Sequence, residues 1–239
     1  MVVRWFRPIA VFVILAAGFA LWPSPARAAI HELKLDLWAS TWNGSTTGAS
    51  GSHTSTFLGL DYRYTGASNW GFHLKGDFAG ESGWSGPLFA GATSGNDSVW
   101  SGDVFYALPL PMATIRPFLG LGGMGFSTTF GGVTQTLTTT GFRFGADASI
   151  PLPSTPLSVN ASVAFYPSNN NSFNNGAGVT TTATGNATDW SVTVQYNFLM
   201  GWEAEVGYRD INRSWGQVAG NCPCSDSWTG PIFVVGKRW

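Results

Sequence analysis

Charged residues in this chain recur two apart. Lys34 and Asp36, Asp61 and Arg63, Lys75 and Asp77, and Glu203 and Glu205 each flank one uncharged residue, and His73 stands two before Lys75. In an extended strand that spacing puts both side chains on one face. The same parity on neighbouring segments adds Glu32, Asp103, Arg116, Arg143, Asp147, Arg209 and Arg238. Seven cations and eight anions gathered on one face can pair with one another and hold a polar interior together. They can also line a water-filled passage and set its selectivity. A smaller group could do bond chemistry. His53 stands two before Ser55, and Asp97, Asp189, Asp210 and Asp226 lie near polar stretches. Histidine near carboxylates or a hydroxyl is the usual material of hydrolysis. The His-Thr-Ser tripeptide is a weak signal inside a Ser/Thr-rich run, and His73 reads most simply as a hydrogen-bonded lumen histidine. Cys222 and Cys224 flank Pro223. They can form a strained local disulfide or stay free thiols, and no other metal-ligating residues cluster beside them.

The elements that must position these residues are short and alternating. HELKLDLWAS sets Leu33, Leu35, Leu37 and Ala39 against Glu32, Lys34, Asp36 and Trp38. FLGLDYRYT, WGFHLKGDFAGE, VWSGDVFYAL, TIRPFLGLGG, GFRFGADASI, LSVNASVAFY, DWSVTVQYNF, GWEAEVGYRDI and PIFVVGKRW repeat the period of two. That makes ten candidate strands, or eight if two weak ones extend loops, each long enough to cross an outer membrane when tilted.

Alternation does not by itself choose between a soluble sandwich and a membrane barrel. The connections do. Residues 65–69, 109–113, 151–156 and 199–201 form short links, whereas 43–55, 82–97, 127–138, 168–188 and 213–228 are long and built from Gly, Ser, Thr and Asn. Long loops kept to one end are the plan of an outer-membrane barrel, and closure leaves no unpaired edge in lipid. Aromatics near strand ends then form interfacial belts: Trp70, Tyr64, Tyr106, Phe198, Trp202 and Trp239 at one rim, and Trp100, Phe165, Trp190 and Tyr208 at the other. The first 28 residues fit export. Arg4 and Arg7 precede an apolar run from Ile9 to Leu21, and Ala26-Arg27-Ala28 offers a cleavage site. The expected organisation is a signal peptide over 1–28 and a barrel over 29–239.

Composition agrees with this plan. Only 10% of the 239 residues are charged, 15% are aromatic, and 12 are Trp, while mean hydropathy is near zero. Without the first 28 residues, nine Lys and Arg face thirteen Asp and Glu. That mild acidity excludes a nucleic-acid footprint.

The signal peptide, amphipathic meander, unequal connections and aromatic last strand together resemble the small bacterial outer-membrane barrels of the OmpA/OmpX/OmpW-like porin superfamily. The resemblance covers nearly all of 29–239 and is architectural. It implies a Gram-negative-type envelope, contact with lipid and lipopolysaccharide, and a last strand read by the barrel-assembly machinery, with Trp239 at the position read. Lys237 departs from the usual apolar residue two before the end. No peptidoglycan-binding domain follows, so a wall-anchoring role is not carried over. Ten-stranded outer-membrane proteases use Asp pairs and an Asp–His pair at the mouth, and the His-x-Ser of lipid A deacylases is similar to His53-Thr54-Ser55. The reading is a monomeric, all-β, closed antiparallel barrel that is structural or porin-like. A surface-interaction barrel acting through its long loops is the alternative, and a barrel hydrolase is third. No enzyme activity, cofactor or metal is expected. Pro231, Phe233, Val235 and Trp239 are expected to face lipid on a closing strand that pairs near His31–Thr41, with Lys237 snorkelling at the rim.

Overall fold

A computed structural model describes residues 29–46, 49–216 and 224–239. The signal-peptide segment 1–28 and Cys222 lie outside the described residues, as does the side chain of Cys224, so the disulfide expectation does too.

Ten antiparallel strands close into a barrel. They are β1 (Ile30–Thr46), β2 (Ala49–Thr65), β3 (Trp70–Ser85), β4 (Ala92–Tyr106), β5 (Ala113–Phe130), β6 (Val133–Pro151), β7 (Leu157–Asn174), β8 (Thr180–Asn197), β9 (Trp202–Trp215) and β10 (Cys224–Arg238). A short continuation of β4, Leu108–Leu110, stays paired with β5. Each strand pairs with its sequence neighbours, and β4 with β5 completes the meander. The seam is β1 against β10, in register from Glu32↔Arg238 to Ser45↔Ser225. The Trp239 backbone continues it, donating to and accepting from His31. The count is ten, so the eight-strand alternative falls away. Among the described residues the only helical segments are the single 3₁₀ turns Pro87–Phe89 and Leu199–Gly201.

Strands reach far into the long polar stretches. Strands run 14 to 19 residues, well beyond the ~9–11 that cross a bilayer. The extra length consumes most of 43–55, 82–97, 127–138 and 168–188, and 213–215 and 224–228 at either end of the fifth stretch. Gly131-Gly132, both at positive φ, close β5–β6 with a two-residue turn, a geometry that favours glycine. Asn175–Val179 link β7 to β8 through Asn175 side-chain and backbone hydrogen bonds. Threonine suits an extended strand, and Thr, Ser and Asn leave no apolar alternation to read. The ends of the barrel therefore differ in strand overhang more than in loop length.

The outer face changes character along each strand. Leu35, Leu37, Leu58, Val104, Leu119, Phe144, Val192, Val206, Phe233 and Val235 stand exposed in one band. Trp70, Trp202 and Trp239 mark one edge, Trp100 and Trp190 the other, and Tyr106 packs edge-on against Trp70. From Phe198 to Trp190 along β8, eight residues at ~3.3 Å rise and ~40° tilt give roughly 20 Å of height. Beyond that band the outward positions become Thr41, Asn43, Thr54, Asn96, Thr138, Asn186 and Asn212. The barrel crosses the membrane with its lower half and projects its upper half above it.

Candidate functional site

The barrel interior is a stack of ion-paired tiers. At the short-turn mouth, Arg63 reaches Asp147 at 2.8 Å and Glu32 at 3.4 Å, while Arg238 holds Glu32 at 2.7 Å. Lys34, from β1, bridges Glu203 (2.8 Å) and Glu205 (2.5 Å) of β9. Thr193 and Asn160 also donate to Glu205. His73 lies between Asp61 at 2.9 Å and Asp103 at 3.4 Å, and Arg143 approaches Asp103 at 3.3 Å. Higher up, Lys75 reaches Asp36 at 3.0 Å and Asp77 at 3.8 Å. Arg209 crosses the barrel to Asp77 (2.6 Å) and forks onto Asp189 (2.9 and 3.1 Å). These pairs link strands far apart in sequence, so they tie opposite walls together.

All fourteen predicted lumen residues, Lys34, Asp36, Asp61, Arg63, His73, Lys75, Asp77, Asp103, Arg116, Arg143, Asp147, Glu203, Glu205 and Arg209, lie on inward positions. Among the described residues Arg116 has no ion pair within reach, in contrast to the other thirteen. A small cavity of about 130 Å³ lies among the charged tiers, its lining running from Glu32, Arg116 and Arg238 at the mouth to Lys75, Asp189 and Arg209 higher up. The glycines of β5 do not widen it. A Cβ at Gly120 would strike Asp103, and one at Gly122 would strike the Tyr166 hydroxyl and Arg143. Their missing side chains are filled by neighbours.

Above the Arg209 tier the interior turns aromatic. Trp38, Phe57, Tyr166, Ile211 and Trp228 are wholly buried, and Trp42, Phe89, Val99 and Met124 nearly so. Arg209 lies 4.7 Å over the Trp38 ring. Trp42 meets Phe89, Phe126 and Trp228 edge-on at 5.3 to 6.4 Å. Sequence reasoning missed this layer, because Trp42, Phe89, Phe126 and Trp228 were hidden inside supposed loops or at their edges.

The same layer holds the residues first read as mouth residues. His53 is not on a loop; it is an inward, fully buried residue of β2. Its Nε2 donates to Asp97 Oδ2 at 2.9 Å, and Ser55 donates to that same oxygen. Glu81 lies beside them, accepting from Thr128 and the Trp84 indole, each at 2.9 Å. Burial, then the nearby Asp97 charge, raises the Glu81 carboxyl above its ordinary value. Asp226 is buried under the Arg213 fork and takes the Trp42 indole at 3.0 Å. Burial raises its carboxyl despite Arg213. Asp189 is inward with Arg209, whereas Asp210 sits outward, bonded by Asn212.

No protein-family model matches the chain, and no curated protein matches it. Solved structures do. The outer membrane protease OmpT of Escherichia coli superposes with a TM-score of 0.55 at 9% identity, over 92% of this chain and 99% of that one. The translocator domain of the autotransporter NalP of Neisseria meningitidis gives 0.48 at 10%, over 98% and 96%. A major outer membrane protein of Thermus thermophilus gives 0.38 at 16%, over 89% and 100%. At these identities the likeness concerns the fold alone. With its closed meander, lipid-facing band and polar interior, the molecule is an outer-membrane β-barrel protein.

Proposed function

We propose that this protein is a structural, non-conducting barrel of the outer membrane, built around a plugged lumen. One observation carries the reading: ion pairs span the lumen in successive tiers, and a buried aromatic layer covers them. A passage for polar solutes needs groups that water or ions can reach, and here thirteen of the fourteen lumen residues, all but Arg116, are spent on one another. On this reading the barrel is structural rather than porin-like. Kinship with the OmpA/OmpX/OmpW-like group belongs to the same proposal and rests on the small meander plan. So do a monomeric state, a lipid and lipopolysaccharide surround, and delivery by the barrel-assembly machinery.

A hydrolase is not proposed. In a nucleophile–base pair the imidazole must receive the hydroxyl proton. Here Ser55 and His53 both donate to Asp97 and neither addresses the other. Both are buried as well.

Planar-bilayer recording tests the proposal. Purified barrel is expected to give no unitary current steps. Stable steps that shift in selectivity on Arg116→Gln would refute it.

A further inference from the structure

The upper chamber holds a charge imbalance that the protein does not correct. His53, Glu81 and Asp97 come from β2, β3 and β4, and all three are buried. One donor atom from each lies within 4.8 Å of the others. Two carboxylates therefore share a buried space with a single imidazole. Arg213, a buried guanidinium of the same aromatic layer, is occupied by Asp226 through two hydrogen bonds. Asp97 Oδ1 is buried with no partner, and so is His53 Nδ1. A buried carboxylate oxygen without a partner costs free energy and calls for an explanation. What this site lacks is positive charge.

We propose that His53, Glu81 and Asp97 bind a divalent first-row cation, zinc foremost, in the part of the barrel above the membrane. One imidazole nitrogen with two carboxylates is a mixed donor set suited to zinc, and manganese competes for the oxygens. Bonds of ~2.0–2.2 Å place donors around one ion about 3.0–3.5 Å apart. The His53–Asp97 separation of 2.9 Å is already close to that range, the ion taking the place of the Nε2 proton, and Glu81, no more than 4.8 Å away, must close by about 2 Å at most. Three protein ligands leave a fourth position for water.

The surroundings hold the donors as a metal site requires. Ser55 braces Asp97, while Thr128 and Trp84 fix Glu81. The Trp42 ring stacks on His53 at 5.1 Å and 11°, and Phe89 meets it edge-on at 5.2 Å. Gly95 leaves the space that the Glu81 carboxylate occupies, since a Cβ there would overlap it. None of this depends on whether the lumen conducts.

The test uses the full barrel, refolded in detergent, stripped with chelator, dialysed, and incubated separately with Zn²⁺, Mn²⁺ and Ca²⁺ before elemental analysis. A parallel thermal melt reads stability. About one zinc per chain is expected, with a raised melting point. Glu81→Gln and Asp97→Asn should each weaken binding at least 100-fold. Without metal they should melt no lower than the parent, because each removes a like-charge contact. Thr128→Val should weaken binding ~10-fold through loss of its support for Glu81. A Cys222→Ser/Cys224→Ser variant should bind zinc as the parent does. Three results would each overturn the proposal: no stoichiometric metal, zinc binding that survives Glu81→Gln, or zinc binding lost only with the two cysteines.

Discussion

Arg209→Met removes a cation that spans the barrel at the level where charge gives way to aromatics. The Arg209 guanidinium makes three hydrogen bonds, at 2.6, 2.9 and 3.1 Å, and lies 4.7 Å above the Trp38 ring. Hydrogen bonds to charged groups are worth ~1.5–3 kcal/mol each, and a desolvated cation–π contact ~2 kcal/mol. These do not add, because losing Arg209 also ends its own desolvation cost. Breaking a buried pair from one side costs about 3–5 kcal/mol, largely through the carboxylate left behind. Two are left here. Asp77 keeps Lys75 at 3.8 Å, which already serves Asp36 at 3.0 Å. Asp189 keeps no cation in contact among the described residues. The expected loss is therefore about 3–5 kcal/mol, read by urea unfolding in lipid vesicles with tryptophan fluorescence and heat-modifiable gel mobility. Adding Asp77→Asn and Asp189→Asn to Arg209→Met removes both orphaned charges and should restore more than half of the loss. If Arg209→Met costs less than ~1 kcal/mol, or the triple variant is no more stable than the single, water must solvate Asp77 and Asp189. The lumen would then be wet where it is argued to be closed.

Two further substitutions test packing and depth. Gly59 faces inward between Asp36 of β1 and Asp77 of β3, and a Cβ there would overlap both carboxylates. Gly59→Ala should cost ~1–3 kcal/mol by overpacking, and Asp36→Ser should relieve part of it in a double-mutant cycle followed by the same unfolding assay. Leu58 and Thr54 both point outward on β2, four residues apart, but the first stands in the apolar band and the second above it. Leu58→Arg should destabilise the lipid-embedded barrel by ~2–4 kcal/mol while Thr54→Arg stays within ~1 kcal/mol. Equal effects would mean that the membrane boundary does not lie between them.

The membrane half of the barrel was legible because two solvents impose two requirements on each strand. Lipid demands apolar residues outward, and a narrow polar lumen demands charge inward, so Leu35/Asp36/Leu37 or Phe142/Arg143/Phe144 can be read by parity alone. Above the membrane water replaces lipid and the contrast vanishes from the outer face. Thr-Gln-Thr-Leu-Thr-Thr-Thr over 134–140 carries one apolar signal in seven positions, and its extended state comes from ladder partners on β5 and β7. Pairing across a sheet leaves no local trace when both faces are polar. The cluster of His53, Glu81 and Asp97 was illegible for the same reason. Its members lie 28 and 16 residues apart in sequence, and only the hairpin registers of β2–β3 and β3–β4 bring them together.

Where the outer solvent changes, the inward residues change with it, within single strands. On β1 the inward series runs Glu32, Lys34, Asp36, Trp38, Ser40, Trp42, while the outward series runs Leu33, Leu35, Leu37, Ala39, Thr41, Asn43. Below the boundary the barrel is apolar outside and charged inside; above it the outside is polar and aromatic side chains dominate the interior around a few buried charges. The change follows from where free energy can be gained. Within the bilayer, burying apolar side chains in the lumen gains little over leaving them in lipid, so inward positions can hold ion pairs that bind strand to strand. Above the bilayer the outer face is wet, and only the interior remains to collect apolar surface. The projecting half therefore folds as an ordinary soluble barrel does, with Trp38, Trp42, Phe89, Phe126 and Trp228 as its core. The plug is then a consequence of projection: strands long enough to stand above the membrane need an interior apolar layer to stay folded, and in a ten-stranded barrel that layer fills the bore.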